Sequence, residues 1–226
     1  MDSLREYILE KLKINSKTTS YKYKVKDKLE LQTIVATRLE ENKNADFNDL
    51  DVSGIKNMKE VFAYLDPHKI DISEWDVSNV EDMTKMFYKC YNLECDLSKW
   101  DVSNAKLVGY MFQDCIKFNS DLSNWDMSSC RNTIGMFMNC HNFNADLSNW
   151  NMSMVEFTNL MFMGCHKFNC DISDWDVSNV LETRCMFTGC KEFNCDLSKW
   201  NMKKCFNMDG MFAKCEKLKN TPEWYR

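Results

Sequence analysis

Four cysteines, Cys165, Cys170, Cys190 and Cys195, form two C-x4-C pairs set 25 residues apart, and His141 and His166 repeat at the same interval. Thiolate and imidazole are zinc ligands, which makes this patch the one metal-binding alternative in the chain. The tight C-x2-C knuckle of a structural zinc site is missing. A packing role explains the same residues more simply. Cys90, Cys115, Cys140, Cys165, Cys190 and Cys215 recur at one position of a repeat. The others, Cys95, Cys130, Cys170, Cys185, Cys195 and Cys205, fall mostly where other copies carry Ser120, Ala145, Ala105 or Val155. Free cysteine is among the most buried residue types, so the expectation is a ladder of reduced thiols with no metal and no cofactor.

Carboxylates also come in columns. Asp71, Asp96, Asp121, Asp146, Asp171 and Asp196 are each followed two residues later by Ser, the signature of an Asx turn in which the side chain accepts backbone N–H groups. A second column runs Asp76, Asp101, Asp126, Asn151, Asp176 and Asn201. Carboxylates stacked roughly 5 Å apart repel, so they must be screened, bonded by neighbouring serines or matched by a partner. Two residues earlier stand Glu74, Lys99, Asn124, Asn149, Asp174 and Lys199, a position that packing does not fix. These twelve residues are the candidate partner-binding face. Catalysis finds no footing: the histidines are His68, His141 and His166, and P-loop, G-x-S-x-G and H-E-x-x-H patterns are missing.

The elements that position these columns are set by an insertion-free repeat. Trp75, Trp100, Trp125, Trp150, Trp175 and Trp200 are spaced by 25 residues. Met86-Phe87 returns as Met111-Phe112, Met136-Phe137, Met161-Phe162, Met186-Phe187 and Met211-Phe212. A degenerate first copy has Asp51-Val52-Ser53, Val61-Phe62, and Leu65 in the cysteine column. Such a period marks a stack of supersecondary units, each covering the apolar face its neighbour cannot bury alone. Within one unit, Leu97, Trp100, Val102 and Ala105 follow leucine-rich-repeat spacing, which predicts a strand over Lys99–Ser103 with Trp100 and Val102 inward. The return leg is apolar mostly at every third residue, which suits short 3₁₀ or helical turns.

Phe118-Asn119-Ser120-Asp121-Leu122-Ser123-Asn124-Trp125-Asp126-Met127-Ser128 resembles the repeat of BspA-type leucine-rich-repeat proteins, also called surface-protein or Mycoplasma-lipoprotein-like repeats. The resemblance covers residues 51 to about 220. It implies a parallel β-solenoid that binds other molecules. Members of that family are adhesins or surface antigens of bacteria and protists, similar repeats occur in phages and giant viruses, and no catalytic residue is shared.

Residues 1–50 read as a different module. Leu4, Ile8 and Leu12 outline a short amphipathic helix, Tyr21, Tyr23 and Val25 alternate with lysines as an edge strand would, and Asp27 caps a helix running to about Glu41 on Leu31, Ile34, Val35 and Leu39. Residues 1–48 hold ten Lys/Arg against eight Asp/Glu, and the remainder 19 against 26, giving the net charge of −5. Neither part has the basic excess that phosphate binding requires. At the far end, Leu218, Pro222, Trp224 and Tyr225 leave the register and close the last unit, unless Trp224 serves as an exposed anchor. The opening residues carry no basic, apolar signal pattern and no stretch is long enough to span a bilayer, so a cytoplasmic location is expected.

The sequence therefore predicts an α+β solenoid, a leucine-rich-repeat-like parallel β-solenoid of about seven 25-residue coils with an N-terminal helical cap. Its divisions are residues 1–50 (α/β cap), 51–217 (repeat solenoid) and 218–226 (C-terminal cap). The expected function is that of a non-enzymatic, monomeric intracellular scaffold that uses its strand face to bind a protein, without nucleic acid or membrane. Abundant Lys and Asn with only 2 Pro fit an AT-rich source such as a virus, a phage or a low-GC microbe, where a host protein is the expected target. The alternatives are an exported surface adhesin and an acidic nucleic-acid mimic that blocks a DNA-binding protein.

Overall fold

A computed structural model describes residues 22–225. The helix expected over Leu4–Leu12 and the Tyr21 end of the edge strand lie outside the described residues. Strand β1 (Tyr23–Lys24) pairs in parallel with β2 (Leu50–Asp51), Tyr23 opposite Leu50. Between them runs helix α1 (Lys28–Glu41). It starts where expected: the Asp27 carboxylate accepts the Glu30 N–H at 3.0 Å, and the Glu30 carboxylate reaches back to the Lys26 N–H at 2.6 Å. The first bond satisfies a donor that the first helical turn leaves open, and the second ties the residue before the cap to the helix. Leu31, Ile34, Val35 and Leu39 are all buried, forming the apolar stripe that seats α1 on the rest of the chain.

Beyond β2 the described chain is a succession of turns. Residues 25 apart pair in parallel, as in the series Asn57, Asp82, Leu107, Asn132, Phe157, Glu182 and Asn207. The ladder joining one unit to the next runs along the Met-Phe leg. Met83, Lys85, Phe87 and Lys89 donate their N–H groups to the carbonyls of Leu107, Gly109, Met111 and Gln113 at 2.8–3.0 Å. The alternate donors, Met86, Tyr88 and Cys90, turn back on Met83, Lys85 and Phe87. In this way every second N–H bonds the next unit and the others close tight turns, so the leg leaves no such donor unpaired.

Closing those turns sets a backbone requirement. Lys85 and Lys89 have φ of 56° and 59°, and the same two positions are positive in later units at Tyr110 and Asp114, Gly135 and Asn139, Leu160 and Gly164, and Cys185 and Gly189. Each is the third residue of a four-residue turn, where a type II turn demands positive φ. The expected 3₁₀ or helical run is interrupted at these points.

The predicted strand over Lys99–Ser103 is not formed. Trp100 N–H donates to Leu97 C=O at 3.1 Å and Ala105 N–H to Val102 C=O at 2.8 Å, making two successive turns. Trp100 and Val102 still point inward, at 3% and 1% exposure. The alternation of buried and exposed residues there comes from turns, not from a pleat.

The core is a set of aromatic columns. Trp75, Trp100, Trp125, Trp150, Trp175 and Trp200 stack with centroids 6.2–6.5 Å apart and planes within 8°. A phenylalanine column from Phe62 to Phe212 runs beside them at 5.1–5.8 Å. Trp224 adds the last indole, 6.3 Å from Trp200, and Tyr225 meets Phe212 edge-on at 5.0 Å. The off-register tryptophan thus completes the stack and is no exposed anchor.

Candidate interaction surface

Each indole N–H donates to a carbonyl 28 residues back: Trp75 to Phe47, Trp100 to Ile72, Trp125 to Leu97, and so on to Trp200 and Ile172, at 2.9–3.1 Å. A buried indole needs an acceptor, and a fixed acceptor in the neighbouring unit locks the register. This holds the residues on either side of each tryptophan at the surface.

All twelve candidate residues are exposed: Glu74, Asp76, Lys99, Asp101, Asn124, Asp126, Asn149, Asn151, Asp174, Asp176, Lys199 and Asn201. Of the three ways the column after tryptophan could be satisfied, screening, bonding by neighbouring serines or a partner, the structure shows the serine bonds. Asp101 Oδ1 accepts the Ser103 N–H at 3.0 Å, Asp126 that of Ser128 at 2.9 Å, Asn151 that of Ser153 at 3.0 Å and Asp176 that of Ser178 at 3.0 Å. The first column does the same, from Asp71 with Ser73 to Asp196 with Ser198. Hydrogen bonds from the serine side chain and N–H hold Asp101 and Asp176 below the usual carboxylate range, and serine N–H groups do so for Asp121, Asp146, Asp171 and Asp196.

The position before tryptophan has no such turn to make. Ion pairs form there between Lys199 and Asp174 at 2.8 Å and between Glu74 and Lys22 at 3.2 Å. Exposed pairs of this kind contribute little to stability. The twelve residues lie in a row along the stack, without a cleft that gathers them around one point.

The cysteine column is internal. Cys90, Cys115, Cys140, Cys165, Cys190 and Cys215 donate their thiols to the carbonyls of Phe62, Phe87, Phe112, Phe137, Phe162 and Phe187 at 2.9–3.2 Å. Burial pushes Cys115, Cys140, Cys165 and Cys190 far above the ordinary thiol range, so they are protonated donors. The proposed Cys165, Cys170, Cys190, Cys195 patch does not converge. Cys165 and Cys190 bond core carbonyls, whereas the partly buried Cys170 and Cys195 lie 3.7 Å and 3.5 Å from Asp146 and Asp171. Among the described residues no group of three or more His, Cys, Asp or Glu is placed to hold a metal ion. His141 and His166 stack face to face at 4.3 Å, and burial followed by the His141 and Lys191 charges lowers the pKa of His166.

The sequence reading missed the outward positions of the Met-Phe leg. Tyr64, Lys85, Tyr88 and Lys89 form one cluster there, with Tyr64 67% exposed. The signal was present, since the pair following Met-Phe changes from Tyr88-Lys89 to Gln113-Asp114, Met138-Asn139, Met163-Gly164 and Thr188-Gly189. It was read as a helical connection instead of a surface.

Residues 30–144 and 120–224 each match the family described as Mycoplasma protein of unknown function, DUF285. No curated protein and no solved structure matches the chain. No helix among the described residues is long and apolar enough to cross a membrane.

Proposed function

The chain belongs to the DUF285 family, and we propose that it is a non-catalytic protein-binding scaffold of the BspA-type repeat class. In this reading residues 51–217 are a leucine-rich-repeat-like parallel solenoid of about seven coils, closed by caps at 1–50 and 218–226. Pairing of residues 25 apart and the unbroken indole stack support that architecture. The protein works as a monomer in the cytoplasm, a setting that suits buried, protonated thiols.

One observation carries the functional reading. The row flanking tryptophan keeps its geometry in every unit while its residue types change, from Glu74 and Asp76 through Asn124 and Asp126 to Lys199 and Asn201. Packing fixes the inward neighbours, so the outward ones are free to encode a partner. An acidic mimic of nucleic acid is the second reading, favoured by the exposed, low-pKa carboxylates.

The test is affinity capture from host lysate with the wild type and with the variant Lys99→Glu, Asp101→Asn, Asp126→Asn. Asparagine makes the same turn at Asn151, so Tm should stay within a few degrees, exposed changes costing about 0.5 kcal/mol or less each. The scaffold reading expects loss of the captured protein, and capture at unchanged affinity removes the row as the interface. A DNA-binding protein released steeply by salt would favour the mimic.

A further inference from the structure

The Met-Phe leg of the first units carries a feature that the tryptophan-flanking row does not explain. Tyr64 and Tyr88 meet edge-to-face at 5.2 Å. Lys89 Nζ lies 5.6 Å from the Tyr64 ring centre and 5.4 Å from that of Tyr88, and Lys85 Nζ lies 5.3 Å from Tyr88. Neither lysine has a carboxylate within ion-pair distance among the described residues. Two unpaired cations over two aromatic rings thus stand together in a chain of net charge −5.

Turn geometry fixes where these side chains project. Tyr64, Lys85 and Lys89 occupy the positive-φ positions of their turns, at 64°, 56° and 59°, positions that later units fill with Tyr110, Asp114, Asn139, Leu160 and Cys185 as well as with glycine. The turn itself therefore does not dictate a tyrosine or a lysine there, and packing does not either, because Tyr64 is 67% exposed.

We propose that Tyr64, Lys85, Tyr88 and Lys89 form a second docking site, one that takes an acidic segment of a partner protein. The two ammonium groups meet carboxylates, while the tyrosines supply rigid contact area and hydroxyl groups. Nucleic acid is the poorer fit: two lysines do not make the basic track that a phosphate backbone needs. This site does not depend on the tryptophan-flanking row, whose acidic residues would attract the opposite charge.

The test uses the full chain and a fluorescein-labelled decaglutamate peptide followed by anisotropy, with an oligo-dT of similar charge as comparison. Decaglutamate should bind at low salt and dissociate as salt rises, and Lys85→Glu with Lys89→Glu should weaken it on the order of tenfold or more. The double variant Lys85→Gly, Lys89→Gly should lose binding with Tm equal to or above the wild type, since glycine relieves both turns. The variant Lys99→Glu, Asp101→Asn, Asp126→Asn should bind the peptide as the wild type does, which separates this site from the row. No binding, unchanged binding after charge reversal, or tighter binding of oligo-dT would each overturn the proposal.

Discussion

The indole N–H of Trp100 donates to the carbonyl of Ile72, 3.1 Å away in the preceding unit. The two residues are 28 positions apart, so this bond ties each unit to the one before it while the ring stacks between Trp75 and Trp125. Trp100→Phe keeps an aromatic ring in the column but removes the indole bond; the Ile72 carbonyl still accepts the Trp75 N–H at 3.1 Å, so the loss is that of one hydrogen bond, about 0.5–1.5 kcal/mol. Trp100→Ala removes the ring as well and should cost about 3–5 kcal/mol. Urea unfolding of both variants measures this, and a phenylalanine variant as stable as the wild type would remove the indole bond from the account.

A second prediction concerns the turns of the Met-Phe leg. Gly135 has φ +58°, and an added Cβ would stand 2.5 Å from the Tyr110 ring. Gly135→Ala therefore meets both a conformational penalty of about 1–2 kcal/mol and a clash. Leu160 holds the same position one unit later at φ 62°, so Leu160→Gly relieves strain in exchange for some apolar contact. Thermal melts should show Gly135→Ala as the more damaging change; the reverse order would contradict the assigned turn geometry.

The tryptophan and cysteine columns, the Asx turns from Asp71 to Asp196 and the helix behind Asp27 were legible because each rests on a local rule that repeats. Location of the inter-unit ladder was not. Lys99-Trp100-Asp101-Val102-Ser103 alternates as a strand does, yet the alternation arises from two turns closed on Leu97 and Val102. On the Met-Phe leg the positive-φ positions carry Lys85, Tyr110, Leu160 and Cys185 as well as Gly135 and Gly210, which dilutes the glycine signal that would have marked them. The surface row was found from its variability. The Tyr64–Lys89 cluster was missed because its residues were assigned to a helical connection.

Thiol chemistry and pH give a third prediction. Burial raises Cys195 from an ordinary 9.0 to about 11 and lifts Cys140 and Cys165 further. In the unfolded chain these thiols ionise first, so it binds fewer protons than the native state above pH 9.0 and stability falls from there upward. At the acid side, the lowered Asp101 and Asp176 contribute stability above the ordinary value of 3.8 that is lost as pH falls through their folded values. His166, lowered from 6.5, adds a loss as pH drops below that value. Native labelling with a soluble disulfide reagent at neutral pH should leave Cys115, Cys140 and Cys165 unmodified until denaturant is added, and prompt labelling of these would contradict their burial. Denaturant midpoints measured across the pH range should fall at both ends, and a midpoint that stays level above pH 9.0 would count against the raised thiols.

Amide hydrogen exchange, resolved by residue, tests the central structural claim most directly: the units are joined along the Met-Phe leg, leaving the residues beside tryptophan free to face a partner. The account predicts slow exchange at Met83, Lys85, Phe87 and Lys89 and at their counterparts Val108, Tyr110, Phe112 and Asp114, whose N–H groups all bond the next unit. Met208, Gly210, Phe212 and Lys214 occupy the same places in the last described unit, where their N–H groups have no backbone acceptor among the described residues, and should exchange fast, as should Lys99 and Asp101. Slow exchange at Lys99 and Asp101 together with fast exchange at Lys85 and Lys89 would move the ladder to the tryptophan leg and contradict the account.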